Sequence, residues 1–159
     1  MRTIVLSIMV ILSSMVWSLS SPFQLETVPV FSAETVTGEM ITYKALLHGG
    51  VVTFFRSSCG YCLLEYPMWE EVRQQYPDLK MLLITHNEAA DKVAAFLQQH
   101  GNPFNHVIND SNGVLWRLFG ASQTPETFVF NQSGFVSGHF GYIGKRPESL
   151  LNNLRNSHF

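Results

Sequence analysis

Residues 50–66 read GVVTFFRSSCGYCLLEY, and this stretch determines the fold class that the sequence predicts. Its first part, residues 51–55, is apolar and rich in β-branched and aromatic side chains, which is typical of a buried strand. After Gly60 the large apolar side chains recur at intervals of three and four residues, the period of an amphipathic helix. Two cysteines, Cys59 and Cys62, therefore lie where a buried strand passes into a helix.

The position of the cysteine pair indicates redox chemistry. Cys59 lies at the predicted helix N-terminus, where free backbone N–H groups and the helix macrodipole stabilise an anion. A thiolate there has a lowered pKa and is the attacking nucleophile, and Cys62, one turn later, is placed to resolve a mixed disulfide formed at Cys59. A lone Cys-x-x-Cys can also be half of a metal site, but the chain has no second pair and its six histidines show no ligand spacing. We therefore expect a redox-active Cys59–Cys62 disulfide with no metal or organic cofactor.

Glu65 is a candidate proton carrier for this pair. It follows Cys62 by three positions, so both side chains lie on one face of the predicted helix. From there Glu65 could take the proton of Cys62, directly or through water, when the mixed disulfide is resolved. The alternative, which the sequence by itself favours, is a solvated glutamate on the helix surface.

Thr124 and Pro125 form a candidate substrate-binding site. Pro125 opens a strand-like segment, residues 126–130, and proline is tolerated at the beginning or the edge of a strand. A cis peptide bond before Pro125 would leave the backbone of Thr124 available to an extended peptide, as in strand addition. A trans proline in an ordinary turn is the alternative.

The composition of the chain excludes several classes of protein. With 159 residues it is long enough for one domain with a hydrophobic core. The net charge of −2 provides no cationic surface for nucleic acid. Two cysteines so close together cannot form a disulfide scaffold.

The first twenty residues differ from the rest of the chain. Their single charge, Arg2, precedes an apolar run over residues 4–17, which the serine-rich stretch SLSS at residues 18–21 follows, and this is the pattern of a secretory signal. An uncleaved membrane anchor is the alternative. We therefore expect a signal peptide or anchor at residues 1–20 and a single domain at residues 21–159, located in the periplasm or otherwise outside the cytoplasm.

The remaining patterns predict an α/β sandwich with a mixed sheet. A hairpin is expected within residues 29–42, and the last predicted element is a helix. After the strand and helix of the cysteine segment, we expect a strand at 81–84, a helix at 89–99, a strand at 104–108 and a helix at 114–119. An antiparallel pair at 127–130 and 135–140 follows, and the final helix is expected at 148–156.

Three parts of the sequence together resemble the thioredoxin superfamily. Residues 59–67, CGYCLLEYP, are similar to the Cys-x-x-Cys-x-x-Glu-x-Pro motif of the extracytoplasmic TlpA/ResA-type reductases. Residues 101–104 and 110–113, GNPF and DSNG, resemble the inserted segment of the CcmG (also called DsbE) group within them. Residues 120–134, GASQTPETFVFNQSG, are similar to the Gly-x-x-x-x-Pro-Glu-Thr-Phe block of that group and are the most specific match.

The resemblance implies a thioredoxin fold, a mixed central sheet flanked by helices, with an N-terminal β-hairpin and a central insertion. It implies that Cys59 is the nucleophile, Cys62 the resolving thiol, Glu65 the acidic helper and Pro125 the cis-proline.

The same resemblance implies a function and two kinds of partner. Proteins of this group commonly reduce the Cys-x-x-Cys-His motif of apocytochrome c so that haem can be attached. Their clients are proteins with cysteine pairs, and their electrons come from a membrane thiol transporter of the DsbD or CcdA kind.

Two features depart from the pattern of the group. Ser58 and Gly60 stand where it usually has Trp and Pro. In addition, Cys-Gly-Tyr-Cys with Thr124 before the proline is similar to the disulfide isomerase DsbC, although the dimerisation domain of that isomerase is missing here. A periplasmic disulfide isomerase is therefore the second interpretation, and a non-catalytic chaperone or binding module with the same fold is a third.

Overall fold

The computed structural model describes residues 27–144 together with Leu150 and Asn152. Strands and helices alternate through most of this part of the chain. In order, they are β1 (Ser32–Glu34), β2 (Met40–Thr42), a 3-10 turn (Tyr43–Leu46), β3 (Gly50–Phe55), α1 (Gly60–Gln75), β4 (Met81–His86), α2 (Ala90–His100), β5 (His106–Asp110), α3 (Val114–Phe119), β6 (Glu126–Asn131) and β7 (Gly134–Phe140).

The central sheet has five strands in the order β5-β4-β3-β6-β7. β3 pairs in parallel with β4, and β4 with β5, whereas β6 runs antiparallel to β3 and to β7. β1 and β2 form a separate antiparallel hairpin, which a 2.8 Å hydrogen bond from the Val36 N–H to the Val107 carbonyl attaches to β5. The predicted mixed sheet flanked by helices, with its N-terminal hairpin, is confirmed.

β3 lies at the centre of the sheet and is buried on both faces. Val51 and Phe55 belong to a hydrophobic cluster that also includes side chains of α1 and α2. Val52 and Phe54 belong to a second cluster, with side chains of α3 and of the hairpin. A strand covered on both faces has no polar side to show, which explains the uninterrupted apolar run in the sequence. The carboxyl end of β3 thereby brings the cysteine segment to the middle of the sheet edge.

The boundaries of the elements differ from the predicted ones by few residues. α3 coincides with the prediction, whereas β5 begins at His106 instead of residue 104. The reason is a turn before the strand, in which the Phe104 N–H donates to the Asn102 side chain at 3.1 Å. Phe104 contributes to the core from this turn.

Two predicted segments lie outside the described residues. They are residues 1–20 and most of the helix at 148–156, of which only Leu150 and Asn152 are described, both as helical. In the described part of the chain, every helix is too short or too polar to cross a lipid bilayer.

Candidate active site around Cys59

Cys59 lies at the N-terminus of α1, directly after the loop that follows β3. Its Sγ accepts a hydrogen bond from the Cys62 N–H at 3.3 Å, and its thiol donates to the Thr124 carbonyl, also at 3.3 Å. Partial burial opposes ionisation, but the hydrogen bonds from Cys62 and the Thr124 side chain outweigh it, so the pKa of Cys59 is lowered. The residue predicted as nucleophile therefore has surroundings that favour its thiolate.

Cys62 has the opposite character. Only 1% of its surface is exposed. Burial raises the pKa of its thiol, and the neighbouring Cys59 raises it further. Both cysteines are free thiols in this structure. The pair is thus asymmetric, with one thiol that ionises readily and one that keeps its proton.

Glu65 lies one turn after Cys62 on α1 and is 1% exposed. Its Oε2 accepts a 2.9 Å hydrogen bond from the Ile143 N–H, in the segment after β7. Burial raises the pKa of this carboxyl to about 7, and the Ile143 bond offsets only part of that effect. The interpretation of Glu65 as a solvated surface glutamate is therefore wrong, because the packing of residues after β7 against α1 removes its side chain from water.

Thr124 and Pro125 directly precede β6, and the Thr124 carbonyl contacts the thiol of Cys59. The peptide bond between them is cis, so the alternative of a trans proline is wrong. The turn before them is held by Glu126, a fully buried carboxylate that begins β6. Its Oε2 accepts hydrogen bonds from the Ser122 N–H at 2.7 Å and the Gln123 N–H at 3.1 Å. This arrangement places the Thr124 carbonyl at the thiol of Cys59.

A further residue of the site, Glu88, was not predicted from the sequence. It follows the carboxyl end of β4, and its Oε1 accepts hydrogen bonds from the Ser57 N–H at 2.8 Å and from the Ser57 hydroxyl. Ser57 belongs to the loop that leads into Cys59. In the same loop, the N–H of Cys59 donates to the Arg56 carbonyl at 3.0 Å. The available signal was topological: the carboxyl ends of the parallel strands β3 and β4 meet at one edge of the sheet.

An exposed apolar surface follows Cys59 on the first turns of α1. Tyr61, Leu63 and Leu64 are 63%, 41% and 58% exposed, although they lie in the first turns of a helix that packs on the core. With Gly60 they line a shallow depression over the first turns of α1. Exposed apolar side chains grouped in this way are typical of a surface that contacts another polypeptide.

The chemistry available to these residues is exchange between a dithiol and a disulfide. A thiol of lowered pKa, a buried thiol of raised pKa one turn later and a carboxyl whose pKa is raised to about 7 follow one another along the first turns of α1. Within the residues that the structure describes, no three side chains of His, Cys, Asp or Glu are grouped to hold a metal ion.

Two curated relatives carry names that describe this chemistry. The "Probable thiol:disulfide interchange protein DsbE-2" of Pasteurella multocida is 34% identical over 80 residues, which are 50% of this chain and 41% of that protein. The thiol:disulfide interchange protein DsbE homolog of Paracoccus denitrificans is 31% identical over 111 residues, which are 68% of this chain and 60% of that protein. The matched part is thus less than two thirds of the length of either relative.

Comparison with solved structures and with families agrees on the fold. A thiol:disulfide interchange protein of the thioredoxin family from Chlorobium tepidum superposes with a TM-score of 0.69 at 20% identity, over 87% of this chain and 100% of that one. The model of the AhpC/TSA family matches residues 25–139, a range that contains Cys59, Cys62 and Pro125. The chain has the thioredoxin fold and belongs to the AhpC/TSA family of the thioredoxin superfamily.

Proposed function

We propose that the chain is an extracytoplasmic thiol:disulfide oxidoreductase that reduces disulfides in client proteins through a Cys59–Cys62 dithiol–disulfide cycle. The observation that carries the proposal is the asymmetry of the pair. Cys59 has a lowered pKa at the N-terminus of α1, while Cys62 is buried beside it with a raised pKa. Dithiol–disulfide exchange uses both properties, because the first thiol attacks and the second reacts only after a mixed disulfide has formed.

In the first step, the Cys59 thiolate attacks one sulfur of the client disulfide. A bond forms between Cys59 and the client, and the second client sulfur leaves as a thiolate that takes a proton from water. The hydrogen bond from the Cys62 N–H stabilises the thiolate before the attack. Since a thiolate has no proton to donate, the Thr124 carbonyl is released at this stage and becomes free to pair with the client backbone.

In the second step, Cys62 attacks the Sγ of Cys59. The Cys59–Cys62 disulfide forms, the bond to the client breaks, and the remaining client sulfur leaves as a thiolate. Cys62 must lose its proton first, and we assign Glu65 as the acceptor, directly or through one water, because the two lie one turn apart on α1. A carboxyl with a pKa of about 7 is well suited to this role, since proton transfer is most efficient when the pKa lies near the working pH.

The client that we propose is apocytochrome c, with its pair of cysteines, during cytochrome c maturation. Support comes from the DsbE names of the relatives and from the resemblance of residues 120–134 to the CcmG group. The client would lie on the apolar surface of Tyr61, Leu63 and Leu64 and pair with the edge at Thr124 and Pro125. Two electrons leave the chain in each cycle, so a dithiol donor must restore it, and we propose a membrane thiol transporter of the DsbD or CcdA kind. The apolar segment near the N-terminus supports export or anchoring at the inner membrane.

The test is capture of the client as a mixed disulfide. A Cys62→Ser variant can form the bond between Cys59 and its client but cannot release it, so disulfide-linked partners should accumulate when it is expressed in cells that make cytochrome c. The double variant Cys59→Ala/Cys62→Ser is the matched control and should capture none. The captured proteins are identified by mass spectrometry after reduction.

Each result bears on one part of the proposal. Capture of apocytochrome c supports the proposed client, whereas capture of diverse proteins with mispaired cysteines would show that the activity is isomerisation and not reduction. Non-covalent binding that survives loss of both thiols, with no covalent capture, would indicate a chaperone. Reduction of insulin by the wild type that persists in Cys59→Ala would overturn the assignment of the nucleophile.

A further inference from the structure

Residues 141–144, which follow β7, contact three separate parts of the site. The Gly141 N–H donates to the Pro125 carbonyl at 2.9 Å. The Tyr142 ring stacks on Tyr61, with 5.9 Å between the ring centroids and 29° between the planes. The Ile143 N–H donates to Glu65 at 2.9 Å. One short segment therefore joins the cis-proline turn, the residues between the two cysteines and the buried carboxyl.

The Ile143 N–H is not held by the hydrogen-bond ladder of the sheet. β7 ends at Phe140, and the segment after it has glycines with positive φ at both ends, +89° at Gly141 and +98° at Gly144. Its position depends on the contacts that the segment makes with its surroundings. Besides the Tyr61 stack and the Gly141 hydrogen bond to Pro125, they include the contact of the Ile143 side chain with the core and a 3.4 Å hydrogen bond between the His139 ring and the Tyr142 carbonyl.

Tyr61 is an unusual partner for such a contact, because it lies between Cys59 and Cys62 and is 63% exposed. An exposed ring contributes little to the core, and offset stacking on Tyr142 gives it one defined neighbour. Because Ile143 directly follows Tyr142, movement of Tyr142 away from Tyr61 displaces the N–H that donates to Glu65.

We propose that Tyr142 is a positioning residue: by stacking on Tyr61 it keeps the Ile143 N–H at Glu65 and so couples the acid to the turn that contains the two cysteines. This inference rests on the proposed function, in which Glu65 takes the proton of Cys62. It concerns the second step of the cycle, because that is the step in which Glu65 acts.

The direction of the effect follows from the hydrogen bond. The Ile143 N–H favours the charged form of Glu65 and lowers its pKa against the larger effect of burial. Without that donor the pKa rises above about 7, and less carboxylate is present at pH 7 to accept a proton. The other titratable side chains of α1 are Tyr61, Cys62, Tyr66, Glu70, Glu71 and Arg73. Cys59 precedes the helix, Tyr142 lies within the segment and His139 lies just before it.

The experiment follows both steps with a small aromatic disulfide, 5,5′-dithiobis(2-nitrobenzoate), in stopped flow between pH 5.5 and 8.5. Attack by Cys59 releases the first coloured thiolate, and attack by Cys62 on the resulting mixed disulfide releases the second. In Tyr142→Ala we expect the midpoint of the pH–rate profile of the second step to move up by about one pH unit, which slows that step about fivefold at pH 7. The first step should be unchanged.

Two control variants separate positioning from a general effect on structure. Tyr142→Phe keeps a ring that can stack and should restore the wild-type profile. Phe140→Ala removes an aromatic ring at the end of β7 that is 64% exposed, and this variant should leave the rates of both steps unchanged. A Tyr142→Ala profile that equals that of Tyr142→Phe, or a slowing of both steps alike, would overturn the proposal.

Glu65→Gln distinguishes failure of this inference from failure of the proposed function. If Glu65→Gln abolishes the pH dependence of the second step and Tyr142→Ala does not shift it, the positioning role is wrong and the role of Glu65 stands. If Glu65→Gln keeps the wild-type profile, another group carries the pH dependence, and the role of Glu65 falls together with that of Tyr142.

Discussion

Three ionisable side chains on the first turns of α1 differ in pKa because their surroundings differ. Hydrogen bonds at the helix N-terminus lower the pKa of Cys59, whereas burial raises those of Cys62 and Glu65. Spacing along the helix places them together, but burial decides which form each one adopts. The division of labour that we propose between attacking thiol, resolving thiol and proton carrier therefore depends on the surroundings of each residue.

The buried carboxyl of Glu65 should make stability depend on pH. Burial raises its pKa from the ordinary value of 4.5 to about 7, so its contribution to stability is fully present below pH 4.5 and is lost as the pH rises through about 7. We expect the free energy of unfolding to fall by up to about 3 kcal/mol between pH 5 and pH 8, since one unit of pKa corresponds to about 1.4 kcal/mol. Urea denaturation at several pH values measures this.

The matched variants for this prediction are Glu65→Gln and Glu70→Gln. Glu65→Gln should remove most of the pH dependence and be more stable than the wild type at pH 8. Glu70→Gln removes an exposed carboxyl of the same helix and should keep the wild-type dependence. Equal dependence in all three proteins would show that Glu65 is not buried as described.

At the scale of elements, the site is assembled where two parallel strands end. The loop after β3 carries Ser57 and Cys59, and the residues after β4 carry Glu88, which binds Ser57 twice. The third contribution comes from the other side of β3, where the turn before β6 presents Thr124 to the thiol. The loop that orients Cys59 is therefore held by a carboxylate from a neighbouring strand.

Removal of the Glu88 carboxylate should loosen this loop. In Glu88→Ala the Ser57 N–H loses its acceptor, and an unsatisfied polar group costs about 1–3 kcal/mol when it is buried, less at this half-buried position. We expect lower stability by about 1 kcal/mol and a changed rate of Cys59 alkylation by iodoacetamide. Glu88→Gln keeps an oxygen acceptor and should lie close to the wild type in both measurements. The idea fails if the Ala and Gln variants behave alike.

At the scale of the whole molecule, two hydrophobic clusters lie on opposite faces of the sheet, and β3 contributes side chains to both. Phe54 is fully buried on one face, with its ring in edge contact with Trp116, Phe119 and Phe128. These partners come from α3 and β6, which lie far from Phe54 in sequence. Phe55 faces the other cluster and contacts Tyr66 and Phe96. The strand that leads to the cysteines is therefore packed on both faces.

Truncation of Phe54 tests this view of the core. Phe54→Ala removes a ring that has no exposed surface and should lower the free energy of unfolding by about 3–5 kcal/mol, through lost burial and a residual cavity. Phe140→Ala removes the same side chain from an exposed position and should change stability by about 0.5 kcal/mol or less. Guanidinium denaturation of both variants at one pH measures the difference, and similar losses would contradict the assignment of the core.

Much of the fold followed from local patterns. The apolar run of β3, the period of α1 and the turn residues around the hairpin predicted elements that are present, and α3 was predicted to the residue. The start of β5 was placed too early, because the apolar Phe104 reaches the core from a turn instead of a strand. Periodicity reports which side chains are buried, and it does not distinguish a strand from a turn that buries the same residue.

The sequence by itself determined the junction of strand and helix, the two cysteines placed on it and the proline that faces them. These features depend on residues close together in the chain, whose spacing sets their direction in a strand or a helix. Only the tertiary structure decided that Glu65 is buried, since its partner Ile143 is 78 residues away, and that Glu88 holds Ser57, 31 residues away. Burial and such contacts depend on which elements pack together, and that packing is a property of the whole fold.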